Sequence, residues 1–202
     1  MTAQMLDHIV LDPVAQDVLF REARTANAFT DEPVSDEQVR ALYDLVKWAP
    51  TSMNTQPLRL VLVRSEDARA RLLSHMMPGN RAKTATAPLI AILAADTEFH
   101  EQLPRLFAHA PQAKDLFADP ARRERAARDG AMLQAGYFIL GVRALGLAAG
   151  PMGGYDAAGL DADLLAGTSL KSIMVVNIGQ PAENAWFDRL PRLEYDEVVT
   201  TL

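Results

Sequence analysis

The period of the apolar positions changes several times along the chain, and each change predicts an element. From residue 39, Val39, Leu42, Val46 and Ala49 recur at intervals of 3, 4 and 3, the stripe of an amphipathic helix. Ser35 and Gln38 have the spacing of a capping box, Asp36 and Glu37 suit the positive helix end, and Pro50 stops the element. Upstream, Asp12-Pro13 reads as an N-cap followed by an N1 proline. That predicts a helix from there to about Ala26, with Val14, Val18 and Arg21 on one side. Leu58–Val63 predicts a strand just after Pro57, and Ser65 caps a helix to about His75. Pro78-Gly79-Asn80 reads as a turn. Pro88–Ala95 is apolar throughout and of strand length, so it predicts a central strand.

The clearest element is a long helix from about Ala121 to Leu145, in which Leu133, Tyr137, Leu140, Ala144 and Leu147 follow intervals of 4, 3, 4 and 3. Gly136 and Gly141 interrupt it; each costs up to ~1 kcal/mol against Ala in a helix, which predicts close packing at both. The charged first turns, Arg122 to Arg128, read as solvated, and Gly146 as a C-cap. A loop follows at Gly150-Pro151-Met152-Gly153-Gly154, then a short helix around Ala157–Leu165 and a strand at Lys171–Ile178. Residues 98–120 resist assignment because Pro104, Pro111 and Pro120 break any long element. Irregular alternation of strands and helices favours α+β over a doubly wound sheet. Three or four strands are few for one domain spanning 1–202, so helices or a partner chain must cover the sheet.

Composition narrows the chemistry. None of the 202 residues is cysteine, which excludes disulfides, thiolate nucleophiles and cysteine-ligated metals. Lys and Arg number 20 against 26 Asp and Glu, a net charge of −6, which argues against generic nucleic-acid binding. The start of the chain lacks the cationic region of a signal peptide, and no apolar run reaches the roughly 20 residues of a spanning helix. A cytoplasmic location is therefore expected. The four histidines (8, 75, 100 and 109) lack zinc-protease spacing, and no nucleophile elbow, dinucleotide fingerprint or phosphate-binding loop motif is present. No metal site is expected.

What remains is a polar loop bracketed by two prolines, Pro50-Thr51-Ser52-Met53-Asn54-Thr55-Gln56-Pro57. In an extended stretch Ser52, Asn54 and Gln56 share one face, a row suited to the amide edge of a heterocycle; a plain capping loop is the alternative. The glycines of 150–154 let a backbone approach a flat ligand, or simply make a tight turn. Arg24, Lys83, Arg189 and Arg192 can grip phosphate or lie solvated.

Taken in order, these segments resemble the nitroreductase family of FMN-dependent oxidoreductases. The resemblance rests on Arg24-Thr25-Ala26-Asn27-Ala28-Phe29, the 50–57 loop, Asn80 with Lys83, Gly150–Gly154 and Arg189-Leu190-Pro191. Lys47–Ser52, Arg143–Leu147 and Arg189–Leu193 resemble more closely the malonic semialdehyde reductase (3-hydroxypropanoate dehydrogenase) branch of pyrimidine degradation. The resemblance implies a nitroreductase-like fold, a mostly antiparallel sheet flanked by helices in an intertwined homodimer. It implies FMN at the interface, NADH or NADPH as electron donor, and ping-pong hydride transfer through the flavin. No side chain is expected to be catalytic.

The implied flavin contacts are Arg24, Arg189 and Arg192 at the phosphate, with Thr25 and Asn27 beside them. Ser52, Asn54 and Gln56 would come from the opposite chain. Asn80 and Lys83 would address the pyrimidine edge, where a cation favours the charge of reduced flavin. Pro151, Met152, Gly153 and Gly154 would lie over the ring. Two positions depart from the family pattern: Asn27 stands where a second basic residue is frequent, and Gly153 where an acidic one is. The alternatives are a broad nitroaromatic or quinone reductase, and a flavin-binding or flavin-processing protein without NAD(P)H turnover. Two readings stand for residues 98–120: a substrate lid, or a segment that packs through Leu103, Leu106, Phe107, Leu116 and Phe117.

Overall fold

A computed structural model describes residues 9–202. His8 lies outside the described residues. Helix α1 (Pro13–Gln16) starts on the Asp12 cap, and its chain continues as a π-helical turn over Asp17–Arg21. The helix thus ends at Arg21 rather than near Ala26: beyond Glu22 the backbone straightens so that the Ala26 amide can donate to the Ala149 carbonyl at 3.0 Å. Helix α2 (Asp36–Val46) has the predicted capping box, with Ser35 and Gln38 bonded reciprocally.

Strand β1 (Leu58–Val63), helix α3 (Glu66–His75) and strand β2 (Leu89–Asp96) follow their sequence signals. Pro78-Gly79-Asn80 is not a free turn: Pro78 is the first residue of helix α4 (Pro78–Ala85), a position where its missing N–H costs nothing. Residues 98–120 form short helical pieces, including a 3-10 turn at Phe99–Gln102, helix α5 (Leu103–Leu106) and a 3-10 stretch at Pro111–Phe117. Helix α6 (Pro120–Ala144) is the longest, and Gly146 follows it at φ 74°. Strand β3 (Ala148–Met152) takes up the first three residues expected in the 150–154 loop. A side chain at Gly150 would meet the Ala26 carbonyl at 2.7 Å, so only glycine lets the 24–27 segment run against β3. Helix α7 (Ala157–Leu164), strand β4 (Leu170–Gly179) and helix α8 (Tyr195–Val198) complete the chain.

The four strands form one antiparallel sheet in the order β1-β2-β4-β3. Strand β2 is central and buried along nearly its whole length, which explains its continuous apolar run. Its Leu89, Ala91, Leu93 and Ala95 face α2 and α6, while Ile90, Ile92 and Ala94 face the side closed by α3 and α7. Helix α6 presents Ala127, Ala131, Ala135, Phe138, Gly141 and Val142 to the core. The stripe read from the sequence lies elsewhere: Leu133 is 49% and Tyr137 41% exposed. Gly141 is tightly packed, since a side chain there would meet Val46 Cγ1 at 2.4 Å, but Gly136 faces open space and has no such contact. Among the described residues, no helix is long and apolar enough to cross a membrane.

Candidate functional site

The polar residues singled out in the sequence fall into two groups. The first lies along the β3 edge of the sheet. Arg24, Thr25, Asn27, Arg189 and Arg192 line one cavity of about 190 Å³. Lys83 Nζ donates to Asn27 Oδ1 at 3.3 Å, which ties α4 to that cavity wall. Asn80 Nδ2 donates to the Gly154 carbonyl at 3.0 Å, and a side chain at Gly154 would strike Asn80 Nδ2 at 2.6 Å. Gly153 is exposed and open above its Cα. Pro151 is half-buried. Met152 does not line the cavity with its side chain: it is buried in the core, and Thr84 Oγ1 lies 3.7 Å from its sulfur. The alternation of strand β3 turns it inward, so only its backbone can face a ligand.

This first group is cationic. The carboxylate of Glu22 lies 3.9 Å from both Arg24 and Arg189, at the limit of an ion pair. Arg24 Nε is buried with no partner among the described residues, and its guanidinium lies 5.5 Å from the Trp186 ring centre. Arg189 donates to the Arg21 carbonyl, and Arg192 donates to its own neighbours, Leu190 and Pro191. An arginine side chain is held here with hydrogen-bonding capacity to spare, which suits a phosphate.

The second group sits in the loop ahead of β1. Ser52, Asn54 and Gln56 do not form an extended row. Ser52–Asn54 is a 3-10 turn, and Met53, Asn54 and Gln56 have φ values of 51°, 53° and 42°. Three non-glycine residues in the left-handed region make a strained loop. Its partners are local: Gln56 Nε2 donates to Asn54 Oδ1 at 2.6 Å, and Asn54 Nδ2 donates to the Leu106 carbonyl at 2.9 Å. Gln134 on α6 accepts from the Leu58 amide at 3.0 Å and fixes where β1 begins.

The two groups do not meet within one chain. They flank opposite edge strands, β1 and β3, which are three strand spacings or about 14 Å apart. Met53 packs on the α2/α6 side of the sheet, whereas Met152 and Thr84 belong to the other side.

The sequence reading missed the surroundings of the second group. A cavity of about 410 Å³ is lined there by Ser52, Phe117, Arg122 and Asp129. Arg122 is exposed, as its charged surroundings predict, and it also lines the mouth of this cavity, where the turn that Asp119 caps brings it. Glu98, His100 and Glu101 place three ligand atoms within 4.8 Å, but Glu98 already pairs with Arg123 at 3.0 Å.

Residues 20–180 match the nitroreductase family. The chain belongs to that family. A relative from Streptomyces griseus, provisionally described as an NADH dehydrogenase/NAD(P)H nitroreductase, is 65% identical over 195 residues, which cover 96% of this chain and 99% of the relative. Among solved structures, a provisionally described nitroreductase from Bacillus subtilis superimposes with a TM-score of 0.83 at 21% identity, covering 91% of this chain and 97% of its own. Another from Exiguobacterium sibiricum, solved in complex with FMN, gives a TM-score of 0.83 at 18% identity, covering 96% and 99%. These likenesses match the antiparallel α+β architecture observed here.

Proposed function

We propose that this nitroreductase-family chain is an FMN-dependent NAD(P)H oxidoreductase that works as a homodimer. The observation that carries the reading is the split of its polar residues into two groups on opposite edges of the sheet, each with unused hydrogen-bonding capacity. A flavin phosphate on Arg24, Arg189 and Arg192 would need a second copy to bring Ser52, Asn54 and Gln56 to the ring. The exposed faces of α2, of the turn after it and of α6 support that partner: Trp48 in the turn is 79% exposed, and Tyr43, Leu45, Met132, Leu133 and Tyr137 are exposed with it. The FMN-bound relative and the relative named for NAD(P)H support the cofactor pair.

The residues present fit the cofactor. Buried Arg24 Nε lacks a partner among the described residues, Lys83 brings a second cation against Asn27, and Gly153 leaves the space that a flat ring requires. FMN, when bound, supplies hydride acceptance from NAD(P)H and its delivery to a second substrate. Lys83 would hold positive charge beside the pyrimidine edge, where a cation favours the charge of reduced flavin. Gly153 and Gly154 offer backbone N–H groups without side chains between them and the ligand. Asn80 fixes the Gly154 carbonyl and so the shape of that turn. No carboxyl or imidazole is among the residues assigned to the flavin, so solvent supplies the proton.

The substrate we assign is malonic semialdehyde, reduced to 3-hydroxypropanoate: aldehyde, NAD(P)H and one proton give alcohol and NAD(P)⁺. This rests on the sequence resemblance at 47–52, 143–147 and 189–193. Residues 98–120 belong to a single domain spanning 1–202 and are rooted in its core through Phe99, Leu103 and Phe117, so any lid is limited to their exposed part; a cytoplasmic location belongs to the same reading. A second reading, a broad nitroaromatic or quinone reductase, is favoured by the open space at Gly153. Stopped-flow mixing with NADH or NADPH tests the core of the proposal: the oxidised flavin should bleach without a second substrate. Failure with both donors would refute it. Turnover of malonic semialdehyde against a nitrofuran then separates the two substrates.

A further inference from the structure

The family resemblance leaves one question open: what holds the second substrate. The cavity beside the 51–55 loop answers it with an asymmetric charge pattern. Its wall carries Thr51 and Ser52 from the loop, Phe117 from the 98–117 segment, and Arg122, Asp129 and Leu133 from α6. Arg122 and Asp129 are seven residues apart on one helix, two turns or roughly 10 Å. Neither forms an ion pair among the described residues, whereas the adjacent Arg123 is bound to Glu98 at 3.0 Å. The Arg122 guanidinium stands 5.9 Å from the centre of the Phe117 ring, which is itself buried. Stacking on an aromatic face orients the guanidinium and leaves its N–H edge free for an anion.

We propose that Arg122 is the carboxylate-binding residue for the oxidising substrate, and that this substrate is a small carbonyl compound bearing an acid group. The assignment rests on the proposed function, since it takes Ser52 to face the flavin. Asp129 repels an anion at the other end of the cavity, so only one orientation is favourable. The acid lies against Arg122 and the carbonyl is directed along the wall shared with Ser52. Asn54 fastens that wall to the 98–117 segment through the Leu106 carbonyl. The segment therefore supplies Phe117, which in turn holds Arg122.

The test compares a carboxylate with its uncharged counterpart. In Arg122→Gln, the ratio of kcat/KM for malonic semialdehyde to that for its methyl ester should fall roughly tenfold to a hundredfold, the range expected for a lost charge-assisted hydrogen bond. Arg122→Lys should recover part of that ratio. An unchanged ratio overturns the assignment. Calorimetric titration of the flavin-loaded protein reads the same site without turnover: propanoate should bind the wild type measurably more tightly than propanamide does, and that preference should vanish in Arg122→Gln. Equal binding of acid and amide to the wild type also overturns it. Failure of NAD(P)H to bleach the flavin would instead refute the proposed function, and the calorimetric result would still decide the role of Arg122.

Discussion

The two faces of helix α6 carry different kinds of apolar residue. The face against the sheet and α2 is built mainly from small ones, Ala127, Ala131, Ala135 and Gly141, with the larger Phe138 and Val142 in its C-terminal half. The outward face carries the larger Met132, Leu133 and Tyr137. Small residues let the helix close onto its own core, and a side chain at Gly141 would already collide with Val46 and Leu42. The size of an apolar side chain therefore does not reveal which face a single chain buries. It is consistent with the larger stripe being kept for a second copy.

The largest effect should come from the outer face. Leu133→Asp with Tyr137→Asp should leave the far-ultraviolet circular dichroism intact but weaken self-association by more than about a hundredfold, since each buried side chain contributes about 1.5–3 kcal/mol. Analytical ultracentrifugation with flavin content as a second readout checks it. A protein that stays dimeric and yellow would break the contrast between the faces.

The inner face should respond next. Gly141→Ala should destabilise the fold by about 1–3 kcal/mol through overpacking, read as a lower urea midpoint. Gly136→Ala, the same change five residues earlier in open space, should stabilise by about 0.5–1 kcal/mol through helix propensity. Opposite signs for one substitution in one helix would sharpen the comparison; equal signs would end it.

The smallest effect concerns the side of the sheet remote from α6. Asp163 on α7 is held below the ordinary carboxylate range by its hydrogen bond to Arg71, with His75 at 2.9 Å adding to it. A depressed carboxylate contributes stability above its unfolded value and loses it as pH falls through the folded one. Acidification below about pH 4 should therefore loosen the α3–α7 contact before the α6 core. Hydrogen exchange of both helices on stepping down in pH measures this, and Asp163→Asn should abolish the difference.

Local signals were legible where neighbours in sequence make the decisive contacts. Ser35 and Gln38 bond each other, Ser65 accepts from Ala68, and the unbroken apolar run at 88–95 is a central strand because both its faces are covered. Three of the four strands and the α+β class followed from such signals, while β3 read as part of a loop. Signals failed where a distant neighbour decides. Pro78-Gly79-Asn80 reads as a turn but opens helix α4, because a proline that opens a turn and one that opens a helix look alike in sequence. Gly150 read as loop because Ala26, which requires a glycine there, is far away in the chain. The 50–57 loop reads as extended because Ser52, Asn54 and Gln56 alternate as they would along a strand. Its left-handed backbone at Met53, Asn54 and Gln56 is held by contacts to Thr51 and Leu106.

The sequence by itself determined where most elements start, the absence of thiol chemistry and the identity of the polar residues around the candidate site, because these depend on composition and on contacts within one turn of helix or one strand. The tertiary structure decided which of those residues share a cavity. It placed Arg24, Asn27 and Lys83 on one edge and Ser52 and Asn54 on the other, and it turned Met152 inward and Arg122 toward a pocket. That division depends on sheet order and on which side of the sheet each element packs, and both are set by contacts between residues far apart in the chain, to which local period carries no information.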